Sequence, residues 1–139
     1  MRFYIMFLQP KKTLYRKQKK GVLKSFEFKS NKLVFGDVGL KATQSGFITA
    51  RQLEAVRRSV VRKLKRKGKL WFRIFPQTPL TRRPSESRMG KGKGSVAFWG
   101  VKVAKGQILI ELCGIPHKTG YDALLAGSHK LPIQTRVCW

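Results

Sequence analysis

Gly90-Lys91-Gly92-Lys93-Gly94 is the run that most invites a chemical reading, because glycines let backbone amides approach a phosphate and lysines add point charge. A nucleotide site does not fit it. A Walker-type loop needs Gly-Lys followed by Ser or Thr at the head of a helix, whereas the Gly-Lys pairs here precede Leu70, Gly92 or Gly94. A dinucleotide fingerprint would need glycine where Ser95 stands. The possible metal ligands Cys113, His117, His129 and Cys138 are separated by 3, 11 and 8 residues, the spacing of no finger or ribbon. Cys113 fits better as a small buried residue at a strand end. The six carboxylates, Glu27, Asp37, Glu54, Glu86, Glu111 and Asp122, are dispersed singly, with no local histidine or serine partner for acid–base or nucleophilic work. The expectation is a protein with no catalytic residue, no metal and no cofactor.

What the residues do offer is charge. Lys and Arg number 31 against 6 Asp and Glu in 139 residues, a formal net charge of +25. At most six cations can be neutralised from within, so the counter-ions must come from outside. The cations are clustered: 21 of the 31 lie in residues 11–24, 51–69 and 82–93. The first group holds Lys11, Lys12, Arg16, Lys17, Lys19 and Lys20, the second Arg51, Arg58, Arg62, Lys65 and Arg66, the third Arg82, Arg83, Arg88, Lys91 and Lys93. Such a distribution is a footprint for a polyanion. No apolar run approaches the roughly 18 residues needed to span a bilayer. The opening Met1–Leu8 stops at Gln9-Pro10 and lacks both a cleavage site and a transit-peptide pattern. Two cysteines allow at most one bridge and point to a reducing compartment. A soluble chain made where it is used is expected, with no membrane partner and no homo-oligomer.

These clusters need elements to carry them. Residues 1–24 are expected to form an extended basic arm and residues 25–139 a single α+β domain. Lys32–Phe35 and Gly39–Thr43 have the composition of short strands around a Gly36-Asp37 turn. Thr49 followed by Gln52 makes a capping box, and Leu53, Val56, Val60 and Leu64, with Val61 beside them, recur at helical spacing up to Gly68. At about 100° per residue those four apolar residues fall within about 80°, leaving the cations on the opposite face of a helix of about five turns. Nine cations with one glutamate there would repel one another unless phosphates sat against them. Leu70–Phe75 predicts a strand ended by Pro76, whose aromatics, with Phe98 and Trp99, are expected in the core. A long loop is expected from Gln77 to Ser95, then a hairpin pairing Val96–Val103 with Gln107–Leu112. A weaker helix should open at Thr119, and a last strand should run from Pro132-Ile133 to Val137.

Five separated motifs carry a resemblance beyond this chemistry: Leu8-Gln9-Pro10-Lys11, Ile48-Thr49-Ala50-Arg51-Gln52-Leu53-Glu54-Ala55, Gly68-Lys69-Leu70-Trp71-Phe72-Arg73-Ile74-Phe75-Pro76, Arg88-Met89-Gly90-Lys91-Gly92-Lys93-Gly94 and Lys130-Leu131-Pro132-Ile133. In this order and spacing, from about residue 7 to residue 137, the chain resembles the bacterial-type ribosomal protein L-sixteen family. The resemblance implies a compact antiparallel or mixed β-sheet sandwich with two packed helices, a basic arm and a long basic Gly-rich loop. It also implies a structural, non-enzymatic constituent of the large subunit. Such a protein binds large-subunit ribosomal RNA near the central protuberance and peptidyl-transferase region, beside neighbouring large-subunit proteins. The segment Thr81–Gly94, with Met89 and the three glycines at its tip, would then point toward tRNA in the aminoacyl site, and the arm would thread between RNA helices. The chain departs from the pattern in Met1–Met6, in Gly21–Asn31 with its Phe26-Glu27-Phe28, in Gly120 and Gly127, and at Trp139. A Phe-rich member without a transit peptide suggests synthesis in an organelle, a mitochondrion first, with a plastid or bacterium as alternatives. The rival reading is a module that binds membranes or acidic proteins through the apolar start and the arm, which leaves the loop cations unexplained.

Overall fold

The computed structural model describes residues 9–21, 23–90 and 92–139. Within them the chain forms β1 (Val38–Ala42), β2 (Gly46–Thr49), α1 (Ala50–Lys63), β3 (Lys69–Phe72), β4 (Thr78–Thr81), β5 (Val96–Val103), β6 (Ile108–Cys113), α2 (His117–Ser128) and β7 (Thr135–Cys138). This is an α+β fold with two antiparallel sheets, one ordered β3-β6-β1-β7 and the other β2-β5-β4.

The helices join the sheets. Leu53, Val56, Val60 and Leu64 are all buried, as their spacing requires, and α1 lies against β2, β5 and α2. In turn α2 packs on β1 and β7. One core runs through the whole, from Val38 and Leu40 of β1 and Ile110 and Leu112 of β6 to Val101 and Val103 of β5 and Ala123 and Leu124 of α2. Gly127 sets the closeness of the helix pair: a Cβ there would stand 2.8 Å from Val60 Cγ2 and 3.2 Å from Val56 Cγ1. A glycine that lowers helix propensity is thus a packing requirement. By contrast, a Cβ on Gly120 would meet only Val38 Cγ2, at 3.7 Å.

Several sequence expectations are corrected. The strands Val96–Val103 and 108–113 exist, but they do not form a hairpin. Both edges of β5 are occupied by β2 and β4, and both edges of β6 by β1 and β3. Between them the chain is captured by the end of β1: the Gly106 amide donates to the Ala42 carbonyl at 2.8 Å, and the Ala42 amide donates to the Gln107 carbonyl at 2.9 Å. The long loop is shorter than expected because Thr78–Thr81 pairs with β5, with Pro79 tolerated on an edge strand. The first helix ends at Lys63, ahead of Gly68, because Lys65 and Arg66 adopt left-handed φ values of 50° and 65°. The second helix opens at His117, two residues earlier than expected, on a Pro116 cap without a side-chain bond.

Lys32–Phe35 is not a strand. Its backbone is given to a carboxylate instead: Glu111, fully buried on β6, accepts from the amides of Val34, Phe35 and Gly36 at 3.1, 2.6 and 2.9 Å, while Arg73 donates to its other oxygen. The Arg73 guanidinium lies 5.2 Å from the Phe35 ring centroid, and that ring stacks on Trp71. Burial pushes the Glu111 carboxyl up, but the three amides and Arg73 outweigh it and hold the group below its ordinary value.

Two predictions follow from this packing. A folded pKa below the unfolded one means that Glu111 stabilises fully above the usual carboxylate range of about pH 4–5 and loses that contribution as pH falls through the folded value. Glu111→Gln should therefore cost about 3 kcal/mol at neutral pH, with the gap to wild type narrowing on acidification in denaturant titrations; a pH-independent gap would contradict the clasp. In the second helix, Gly127→Ala should lower stability by about 1–3 kcal/mol, whereas Gly120→Ala should leave it unchanged or raise it by up to about 1 kcal/mol in thermal melts.

Candidate nucleic-acid interface

The basic face of α1 rests on its N-terminus. Thr49 Oγ1 accepts from the Gln52 amide at 3.3 Å, and Gln52 Oε1 accepts from the Thr49 amide at 2.8 Å, the reciprocal box that the sequence predicts. Glu54 then organises the first turns: Arg57 donates to it from Nε and Nη2, both at 2.8 Å, and Arg58 from Nε at 2.9 Å. These bonds, Arg57 first, bring its carboxyl down to about 2. Beyond Glu54 the face has no acid, and Arg51, Arg58, Arg62, Lys63, Lys65, Arg66 and Lys67 are all exposed. Lys65 and Arg66 stand past the helix, on the left-handed turn that carries the chain into β3.

The loop between β4 and β5 is closed at its neck. The Arg82 amide donates to the Ser95 carbonyl at 3.2 Å, and a Cβ on Gly94 would stand 2.5 Å from the Arg82 carbonyl oxygen. Arg83 braces the loop internally by donating to the Gly92 carbonyl from Nε and Nη2, at 3.2 and 2.7 Å. At the tip Gly90 and Gly92 take φ values of 83° and 76°, which side chains resist, and a Cβ at either would meet nothing within 4 Å. Arg82, Arg83, Arg88 and Lys93 are exposed, and Met89 is 90% exposed. Lys91 and Leu8, named in the motifs above, lie outside the described residues.

The arm meets this loop. Residues 9–21 form no helix or strand, and Lys11, Lys12, Arg16, Lys17, Lys19 and Lys20 are exposed. Lys17 Nζ donates to the Lys93 carbonyl at 2.8 Å, and Lys93 Nζ donates back to the Gln18 carbonyl at 2.7 Å. From β5, Lys102 Nζ donates to the Lys19 carbonyl at 3.2 Å. Two of the three basic clusters are thus brought together by lysines satisfying backbone oxygens. The α1 cluster stays apart: among the described residues, the side-chain hydrogen bonds of its cations go only to Glu54.

Sequence reasoning missed Lys102, outside the counted clusters, and the Glu111–Arg73 clasp, because a lone glutamate on a strand gives no sign that three amides of a distant segment will cover it. The aromatics assigned to the core are also only partly there: Trp71, Phe72, Phe98 and Trp99 are half-buried, and Phe75 is exposed. Both cysteines are free, with thiols pushed up by the Asp37 hydrogen bond at Cys113 and by burial at Cys138. Among the described residues no group of three or more His, Cys, Asp or Glu is placed to hold a metal, and no helix is long and apolar enough to cross a membrane.

Fold and charge together define a small basic α+β protein that mounts cations on an arm, a helix face and a glycine-tipped loop. Residues 10–138 match the family model of ribosomal protein L16p/L10e, and the chain belongs to that family. It is 52% identical to the large ribosomal subunit protein uL16 of Bartonella henselae over 129 residues, 93% of this chain and 94% of that protein. It is 50% identical to uL16 of Caulobacter vibrioides over 130 residues, covering 94% and 91% of the two chains. The identity to uL16c of Porphyra purpurea is 47% over 129 residues, 93% of each.

The arm–loop contact makes a prediction of its own. Lys93→Met should release the arm and raise the rate of tryptic cleavage after Lys19 and Lys20 several-fold, with the melting profile of the domain unchanged; an unaltered cleavage rate would show that the crossing does not hold the arm.

Proposed function

We propose that this chain is a structural constituent of the large ribosomal subunit whose mechanism is electrostatic and geometric. Lys11, Lys12, Arg16, Lys17, Lys19 and Lys20 of the arm, with Arg51, Arg58, Arg62, Lys65 and Arg66 on and just beyond α1, neutralise phosphates of large-subunit ribosomal RNA near the central protuberance and peptidyl-transferase region. The loop, with Arg82, Arg83, Arg88, Met89, Gly90, Lys91, Gly92, Lys93 and Gly94, faces tRNA in the aminoacyl site, and neighbouring large-subunit proteins flank the domain. Residues 1–24 act as the RNA-ordered arm and residues 25–139 as the domain. The observation that carries this reading is a pair of crossed bonds, Lys17 Nζ to the Lys93 carbonyl and Lys93 Nζ to the Gln18 carbonyl, which sets arm and loop cations side by side; among the described residues no carboxylate is bonded to either lysine. Membership of a ribosomal protein family supports it independently. The compartment we infer is a bacterial-type ribosome in an organelle, a mitochondrion first, in keeping with the Phe-rich departure at Phe26 and Phe28; relatives among bacteria and the uL16c of Porphyra purpurea support a plastid or bacterial ribosome as the alternative.

Cosedimentation of the tagged chain with ribosomal particles tests it. Retention in the large subunit at low and high salt is expected, with RNA crosslinks from residues 82–93 falling at the tRNA cleft; a free pool that follows membranes would overturn it. On isolated large-subunit RNA, Arg58→Glu with Arg62→Glu should weaken binding more than about tenfold and flatten the salt dependence of log K by roughly one to two units.

A further inference from the structure

A cleft of about 690 Å³ runs along β7, and none of the cations named on the arm, the α1 face or the loop lines it. Tyr121 and Trp139 stand on its rim with ring centroids 6.5 Å apart and planes tilted by 57°. Trp139 is 77% exposed. Phe26 closes the other side, its ring lying so near Gly106 that a Cβ there would meet it at 2.6 Å, and the amide of its neighbour Glu27 donates a hydrogen bond of 2.9 Å to the Lys105 carbonyl. Three cations line the cleft, Lys41, Lys105 and Arg136, and no Asp or Glu side chain does. Lys41 Nζ is held by the Asn31 carbonyl at 3.0 Å, while Arg136 and Lys105 are exposed. Trp139 lies one residue beyond the family match.

We infer that this cleft is a second RNA site, taking unpaired nucleotides whose bases stack on Trp139 and Tyr121 while Arg136 and Lys105 meet their phosphates. Exposed rings beside cations, without acidic side chains, complement a ligand that is anionic and flat-faced at once. A duplex hides its base faces, so the cleft selects single strands. An acidic peptide would satisfy the cations but has no need of an exposed indole. The inference rests on the RNA-binding reading above and adds to it a place of different chemistry, where stacking supplements charge.

Full-length chain, titrated with a twelve-nucleotide oligouridylate and with an RNA duplex of the same length at 0.2 M salt (about the ionic strength that mutes arm-driven binding), provides the test. Trp139→Ala should weaken the single strand about tenfold and leave the duplex unchanged, and Trp139→Phe should restore most of the loss. Equal effects on both RNAs, or none, overturn the site. Wild type that binds neither RNA would instead refute the RNA-binding reading itself. In ribosomal particles, a photocrosslinker at position 139 should capture RNA; capture of protein overturns the proposal.

Discussion

Six carboxylates in a chain with thirty-one cations is the constraint on which this structure turns. The ones whose bonds are described, Glu27, Glu54 and Glu111, all fix backbone or side-chain geometry, while Glu86 and Asp122 stand exposed. Glu54 ties down Arg57 and Arg58 at the start of α1, Glu27 accepts the amides of Lys29 and Ser30 in a turn, and Glu111 gathers a whole segment onto β6. The remaining cations are left for solvent or an outside anion. Folding of the core and loading with a polyanion are therefore separate problems, the first solved by apolar burial and a few placed acids, the second deferred to a partner.

The clasp at Glu111 shows how much one such acid can do. Segment 33–36 has apolar side chains, Leu33, Val34 and Phe35, but Val34 and Phe35 stay exposed, so burial alone does not hold it. Three amides on one carboxylate oxygen do, and Arg73 supplies the compensating charge that makes a buried carboxylate tolerable. Arg73 follows β3 and Glu111 lies on β6, so the same pair fastens the covering segment to the edge of the larger sheet, one strand away from β1.

Local signals were legible where they are decided locally. The capping box at Thr49 and Gln52, the apolar stripe of α1, and the existence of strands at 96–103 and 108–113 all depend on spacing within one element, and the structure carries each of them. The three basic clusters were visible for the same reason. What was not legible depends on residues far apart. Alternation in β5 and β6 cannot say that β2 and β4 will take both edges of one, and β1 and β3 both edges of the other. A short connection containing Gly106 looks the same whether it turns a hairpin or passes the chain to a second sheet. Lys32–Phe35 has strand composition, but the amides of Val34 and Phe35 go to the Glu111 carboxylate instead of a neighbouring strand, and Gly127 lowers helix propensity for a reason that lies in Val56 and Val60, 67 or more positions away.

The arm–loop crossing carries this reasoning one step further. Lysines donate to carbonyl oxygens there, so the contact neutralises no charge, and it draws Lys17, Lys19, Lys93 and Lys102 into one neighbourhood that disfavours itself in water. Such an arrangement is most stable when phosphate sits against it, and least stable in the free chain. A polyanion that binds the arm thereby also steadies the neck of the loop, because Lys93 belongs to both. At the loop tip a Cβ on Gly90 or Gly92 would meet nothing within 4 Å, so the lysine bonds near the neck are what tie the loop to the arm. Charge concentration, costly to the isolated fold, would then let an anion bound at the arm steady the loop as well.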